Sequence, residues 1–205
     1  MHSLTTYALT SAEVKKEKRM AFLKATRTLA DDTSRPHRLI LRARDPSDAE
    51  ALFSTMADAD IMRWWSRAPF EDIGDLREYF ASDDQSSWRS WVIARTGDEL
   101  VVGFVAAGQK REGVCEIGYL LAREAQGHGY AREAVAMLID QLFAEGQRRI
   151  FADTDPDNQP SIALLTALGF KLEGHLRAEW QTHIGVRDSL IYGLLADEWR
   201  SRSSR

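Results

Sequence analysis

At 205 residues the chain is long enough for one domain of ordinary size with a full core. Its 44% apolar and 28% charged residues are those of a globular protein in water, and a formal charge of -4 argues against a general nucleic-acid binder. No apolar run reaches the ~20 residues that span a bilayer, and the N-terminus lacks the apolar core of a signal peptide. The five histidines show no metal-ligand spacing, and the single cysteine, Cys115, excludes an intrachain disulfide. The expectation is a reducing, cytoplasmic setting with no metal, no nucleic acid and no membrane among the partners.

Residues 1–35 read as an N-terminal extension. Helix formers over 11–30 with a ragged apolar pattern suggest a surface helix, and the polar stretch around Pro36 reads as a linker. The main domain is expected over 36–200, with 201–205 as a tail that frays from about Arg200. Residues 38–42 (RLILR) alternate and predict a first strand. Asp45-Pro46-Ser47 starts a helix to about Ala57, and a second helix is expected over 71–81. Between them lies a loop with Trp64 and Trp65. Two adjacent tryptophans cannot both face one side of an element, so one covers the core while the other lines a cleft, or both pack under the loop. Strands are expected over 88–95 and 100–107, joined by Thr96-Gly97-Asp98-Glu99, and a turn over 109–113 leads into a fourth strand.

Residues 115–145 organise the chain. An apolar run over 115–121 fits a buried strand, Gln126-Gly127-His128-Gly129 a tight turn, and the spacing from Tyr130 to Phe143 a long amphipathic helix. The first turn of a helix carries backbone N–H groups without intrahelical partners, and the macrodipole adds positive potential. Gly127 and Gly129 have no Cβ, so a ligand can approach the main chain. Strand, glycine turn and helix together form an anion seat suited to pyrophosphate, although the spacing is neither that of a Walker loop nor that of the dinucleotide fingerprint. A fifth strand over 148–154 follows, then Asp155-Pro156-Asp157-Asn158 and a helix to Leu168 with Gly169 beyond it, then strands over 170–177 and 186–195. The order predicts an α+β fold with a mixed sheet.

Gln126-x-x-Gly129-x-Ala131 resembles the Q/R-x-x-G-x-G/A motif of the GNAT acetyltransferases, which bind acetyl-CoA. Glu116-Ile117-Gly118-Tyr119, Asn158-x-x-Ser161, Leu164-Leu165, Leu168-Gly169-Phe170, Glu173-Gly174-His175-Leu176-Arg177 and Arg187-Asp188 resemble, in the same order, segments of the RimJ/RimL type, the ribosomal-protein N-terminal acetyltransferases and their relatives. The resemblance runs from about Arg38 to Trp199. It implies the GNAT fold, a mostly antiparallel seven-stranded sheet flanked by helices whose fourth and fifth strands splay to admit the acyl-pantetheine arm.

It also implies roles. The strand backbone at Tyr119, Leu120 and Leu121 would face the pantetheine and the carbonyl, and the amides of Gln126, Gly127, His128, Gly129, Tyr130 and Ala131 would seat the pyrophosphate. Asn158 would bond the pantetheine arm, or serve only as a helix cap. Two carboxylates compete as general base: Glu116, whose other reading is a structural ion pair, and Asp153 on the fifth strand, with Glu116 preferred because alternation turns it toward the gap. Many relatives have a tyrosine acid where this chain has Leu165, so that role is absent here, and Ser161 would approach the thiolate instead. Trp64 and Trp65 would lie on the acceptor side. Asp58, Asp60, Glu71 and Asp72 would attract a cationic acceptor, or form a solvated face. The implied reaction is direct acetyl transfer from acetyl-CoA to a primary amine, that of a protein N-terminus. The alternatives are a small amine (polyamine or aminoglycoside), or binding of acyl-CoA without turnover as a sensor. A monomer or homodimer is expected.

Overall fold

The computed structural model describes residues 37–82 and 88–203; the expected extension over 1–35 and the last two residues lie outside them. Strand β1 (Leu39–Ala43) buries alternate residues, as its sequence pattern requires. Asp45 then closes a capping box: it accepts from the Ser47 amide, while Asp48 accepts from the Asp45 amide at 2.8 Å. Pro46 opens a single 3₁₀ turn that runs into α1 (Ala49–Met56). Asp58 caps the short α2 (Ala59–Met62) and Asp72 caps α3 (Ile73–Ala81), each carboxylate satisfying amides that the helix itself leaves open. Ala49, Leu52 and Met56 of α1, Met62 of α2 and Leu76 and Phe80 of α3 form one apolar cluster with Val92, Phe104, Ala106 and Leu120 from the sheet.

The sheet has seven strands in the order β1-β2-β3-β4-β5-β7-β6, with β2 (Trp88–Arg95), β3 (Val101–Arg111), β4 (Val114–Leu121), β5 (Arg149–Thr154), β6 (Lys171–Thr182) and β7 (Gly185–Leu195). Every pairing is antiparallel except β4 with β5. That one parallel step is bridged by α4 (Tyr130–Ala144), as a parallel pair demands. Helix α4 buries Ala134, Val135, Leu138, Ile139, Leu142 and Phe143. Fully burying each of the larger of these contributes roughly 1.5–3 kcal/mol. The Arg89–Glu145 ion pair at 2.5 Å fixes its C-terminal end to β2. Helix α5 (Gln159–Leu168) ends at Gly169, whose φ of 90° is the left-handed conformation that glycine adopts without strain.

Three boundaries differ from expectation, each for a tertiary reason. Strand β3 runs on to Arg111 through a bulge, so the turn expected over 109–113 shrinks to Glu112 and Gly113. Strands β6 and β7 form a longer hairpin than predicted, and its bulge places Ala178 at a φ of 52°, with the Ala178 amide donating to Asp188 at 2.9 Å. The expected frayed tail is helical: α6 (Ala196–Ser203) is polar, and it is tied down where Trp199 donates to Asp140 at 2.6 Å and Arg202 to the Ala167 carbonyl at 2.9 Å.

Cys115 is 1% exposed, donates to Gln109 Oε1 at 3.3 Å, and burial pushes its thiol pKa up. It is a small packing group on β4. Cys115→Ala is expected to lower stability by about 1 kcal/mol with the fold intact, read from the denaturant midpoint at constant slope. A changed slope would show that the thiol does more than pack.

Candidate active site

Strands β4 and β5 pair at only three positions, Val114 with Arg149, Cys115 with Ile150 and Glu116 with Phe151. From Ile117 onward the edge of β4 has no β5 partner, while its other edge stays paired with β3 as far as Leu121. The split opens a cleft of about 410 Å³. Its walls include Glu116 to Tyr119 of β4, Ala152 to Thr154 of β5, the loop from Arg63 to Arg67, Asn158 and Ser161 at the start of α5, and Trp180, Arg187 and Asp188 from the β6–β7 hairpin.

At the far end of β4 a 3₁₀ turn (Arg123–Ala125) leads to Gly127 and Gly129, with φ of 77° and 78°, and α4 begins. Both glycines are left-handed, which admits Gly here and strains other residues. A Cβ on Gly127 would meet no atom within 4 Å, so this side of the turn is open. Gln126 turns its side chain back to the Leu121 carbonyl at 3.3 Å, and His128 Nδ1 lies 2.8 Å from the Gln126 carbonyl. Arg38 donates to the His128 carbonyl at 3.1 Å, pairs with Glu133 at 2.8 Å and lies over the Tyr130 ring at 4.9 Å. Open backbone, helix N-terminus and a nearby guanidinium suit a pyrophosphate. The turn and the free edge of β4 therefore fit the CoA that the sequence resemblance implies.

Of the residues singled out from sequence, Trp64, Trp65, Glu116, Tyr119, Asp153, Asn158 and Ser161 line the one cleft. Gln126 to Ala131 form the turn at the end of β4, while the Leu120 and Leu121 side chains are buried, leaving only their backbone for any ligand role. Trp65 packs on Phe104 with ring centroids 5.3 Å apart, and Trp64 stacks under Arg63. Thus Trp65 joins the core's edge while both rings face the cleft. Asn158 caps α5, its Oδ1 accepting from the Ser161 amide at 3.2 Å. Leu165 is fully buried in α5.

The hydroxyl of Tyr119 lies 2.7 Å from Ser161 Oγ, a polar pair bridging the split between β4 and α5. Burial pushes the Tyr119 phenol up to about 12, partly opposed by that hydrogen bond. Sequence reasoning assigned only the backbone of Tyr119; the signal was its presence in Glu116-Ile117-Gly118-Tyr119, but the partnership with Ser161 is set by the packing of α5.

Charge is distributed unevenly around the cleft. Glu116 pairs with Lys110 at 2.7 Å and also lines the cleft. Asp153 accepts from Trp180 Nε1 at 2.8 Å and from the Ser189 hydroxyl, both neutral donors. Arg187 clamps Asp155 at 2.6 Å and Asp157 at 2.5 Å. Arg44 and Arg67, absent from the candidates selected by sequence, also line the cleft, and neither forms an ion pair with a carboxylate among the described residues. The expected acidic attractors are used elsewhere: Asp58 caps α2 and pairs with Arg123 at 2.6 Å, Asp72 caps α3, and neither Asp60 nor Glu71 lines the cleft. No cluster of His, Cys, Asp or Glu among the described residues could hold a metal ion.

Burial alone would raise the Asp155 carboxyl, but the Arg187 guanidinium and the Asp157 amide outweigh it and hold the pKa below the ordinary value. A depressed folded pKa adds stability that is present above the unfolded value of about 3.9 and lost as pH falls through the folded one. The stability gap between the wild type and Asp155→Asn should therefore be constant from pH 7 to about pH 5 and close at lower pH. Denaturation across that range checks it, and a gap that widened on acidification would contradict the clamp.

Residues 38–171 match the family described as the acetyltransferase (GNAT) domain. The chain is 33% identical over 176 residues to the "uncharacterized N-acetyltransferase p20" of Bacillus licheniformis, covering 82% of this chain and 98% of that protein. A probable GNAT-family acetyltransferase from Chromobacterium violaceum superposes with a TM-score of 0.74 at 27% identity, covering 81% of this chain and 87% of that one. The spermidine N-acetyltransferase of Vibrio cholerae, solved with CoA and spermine, superposes with a TM-score of 0.71 at 23% identity, covering 80% and 98%. The split between β4 and β5, the glycine turn at the start of α4 and these matches have one explanation: the chain belongs to the GNAT family of N-acetyltransferases.

Proposed function

We propose that this chain transfers acetyl directly from acetyl-CoA to a primary amine, that of a protein or peptide N-terminus, in the manner of the RimJ/RimL type. The observation that carries the reading is the cleft at the β4–β5 split, where a free strand edge, the Tyr119–Ser161 pair and two carboxylates share one wall. Asn158, Ser161 and the β4 edge would hold the pantetheine arm, and the amides from Gln126 to Ala131 the pyrophosphate. The buried, raised thiol of Cys115 lies outside the cleft lining, which favours direct transfer over an acyl-enzyme.

Each step needs a group. The β4 amides supply hydrogen bonds to the thioester carbonyl as charge grows on it. Tyr119 and Ser161 stabilise the departing thiolate. A phenol near 12 is a poor proton donor to a thiolate whose acid has a pKa of about 8.5, so the pair donates hydrogen bonds and leaves protonation to solvent. The base is one of the two carboxylates. Glu116 already holds Lys110, whereas Asp153 faces only neutral donors, so the geometry favours Asp153 over Glu116. An α-amine with a pKa of about 8 is partly neutral at neutral pH, which asks on the order of 10²-fold of the base.

Two other readings stand beside this one. Homologues include spermidine acetyltransferases, which points to a polyamine acceptor; unpaired guanidiniums in the cleft oppose a polycation. A chain that binds acyl-CoA without turnover is the second. The deciding experiment incubates the protein with acetyl-CoA and a panel of N-terminal peptides, polyamines and aminoglycosides, following CoA release and mass gain. Acetyl-CoA bound with no CoA released for any amine would overturn the transferase reading.

Gly129→Val should weaken acetyl-CoA binding at least tenfold in calorimetry, since a β-branched residue resists the left-handed turn. Normal affinity in a folded variant would remove the turn from the site. With an acceptor in hand, Asp153→Asn should lower kcat about 10²-fold, with the defect shrinking as pH rises, and Glu116→Gln should cost less. An Asp153→Asn profile overlaying wild type would return the base role to Glu116.

A further inference from the structure

Two arginines of the acceptor side have surroundings that no part of the transfer chemistry explains. Arg67, in the loop after α2, stacks over Phe70 at 3.5 Å and over Tyr79 at 4.8 Å. Its Nε is buried with no hydrogen-bond partner among the described residues. Arg44, just after β1, lies over the same Tyr79 ring at 5.3 Å and over Phe80 at 4.5 Å. It donates to the Tyr79 and Phe80 carbonyls at 3.5 and 3.4 Å, both long, and is further stabilised by the Tyr79 hydroxyl and, at longer range, by Asp48. Both side chains line the cleft.

A guanidinium carries five N–H donors, and each one buried without an acceptor, as Arg67 Nε is, costs free energy. Burial depresses the pKa of both groups, more than Tyr79, with Asp48 at Arg44 and Asp75 at Arg67, raises it. Aromatic faces supply cation–π attraction but no hydrogen-bond acceptor. What satisfies two adjacent planar forks is a planar anion with two oxygens. Elsewhere in the same cleft, Asp153 is a carboxylate without a cationic partner among the described residues. A cleft lined by one carboxylate outside any ion pair and by Arg44, Arg63 and Arg67, none of which forms an ion pair among the described residues, complements a molecule carrying both signs. Its volume of about 410 Å³ accommodates an amino acid or the first residues of a peptide.

We infer that the acceptor amine belongs to a zwitterionic molecule whose carboxylate is held by Arg44 and Arg67 while its amine lies toward Asp153. This deepens the proposed function and rests on it. The carboxylate comes either from the α-carboxyl of an amino acid or dipeptide, or from an acidic side chain near a peptide N-terminus. Polyamines offer no group for the two arginines and bring repulsion.

The test reads binding as well as turnover. With CoA saturating, an N-acetylated dipeptide is titrated as its free acid and as its carboxamide, alongside an amidated peptide bearing Asp in second place. The free acid or the Asp peptide should bind at least tenfold tighter than the uncharged carboxamide, and which of the two does so identifies the source of the carboxylate. Arg67→Gln should abolish the preference by weakening the acid alone, and Arg67→Lys should retain part of it. If Arg67→Gln does not fold, Arg44→Gln replaces it, and the wild-type comparison decides by itself. Equal binding of acid and carboxamide, no binding of either, or an equal loss of both in the variants would overturn the inference and leave the arginines as wall-holders. Failure of the proposed function looks different: the acid is still preferred, yet no amine of the panel releases CoA.

Discussion

Strand β4 has two neighbours for three residues and one neighbour thereafter, and the site depends on that change. Pairing with β3 continues to Leu121, so β4 stays in the sheet after its pairing with β5 ends at Glu116. The backbone edge exposed by the split must find partners in water or in a ligand, because an unpaired buried amide is costly. A strand edge presented inside the sheet is a main-chain binding surface without the hazard of an outer edge. One tie spans the split and a second fixes its β5 side. Tyr119 and Ser161 join β4 to α5, and Arg187 joins β7 to the Asp155–Asp157 turn that precedes α5. Both ties end in the cleft wall, so the groups that hold the geometry are also those nearest the chemistry.

The anion seat and the split are linked through α4. A parallel pair needs a crossover, and the crossover helix starts where β4 ends. The helix N-terminus therefore falls at the end of the free strand edge by topology. Gly127 and Gly129 make the reversal between them short enough for strand edge and helix amides to serve one extended ligand.

How far this could be read in advance depended on whether the cause was local. The fourth strand, the glycine turn and α4 were legible because an apolar run, two glycines and an amphipathic stripe lie within one segment. The caps at Asp45 and Asn158 were legible in the same way, as short side chains before helix-forming runs, whereas Asp72 was read inside the helix it caps. Helix α6 was not, since its polar sequence is held by Trp199 on Asp140 and Arg202 on Ala167, far away in the chain. Nor was the commitment of Glu116 to Lys110, which depends on the register of β3 against β4 and a bulge near Arg111. Arg44 and Arg67 gave no signal at all. Their meaning comes from burial beside Tyr79, and burial of a charge is invisible in one dimension.

The two ends of the cleft therefore carry different kinds of information. The end proposed for CoA is made mainly of backbone: a strand edge, a turn and a helix N-terminus. Such features travel with the fold, and a TM-score of 0.71 against the Vibrio cholerae enzyme is enough to expect them. The acceptor end is made of side chains from loops and from the β6–β7 hairpin. The family match ends at residue 171, before Trp180, Arg187 and Asp188, and 23% identity leaves most wall positions free to differ. A fold hosts many chemistries through such positions. Likeness to that relative at 23% identity therefore speaks to the shared fold and not to the side chains of the acceptor wall, among them Arg44 and Arg67, which this chain holds outside any ion pair among the described residues.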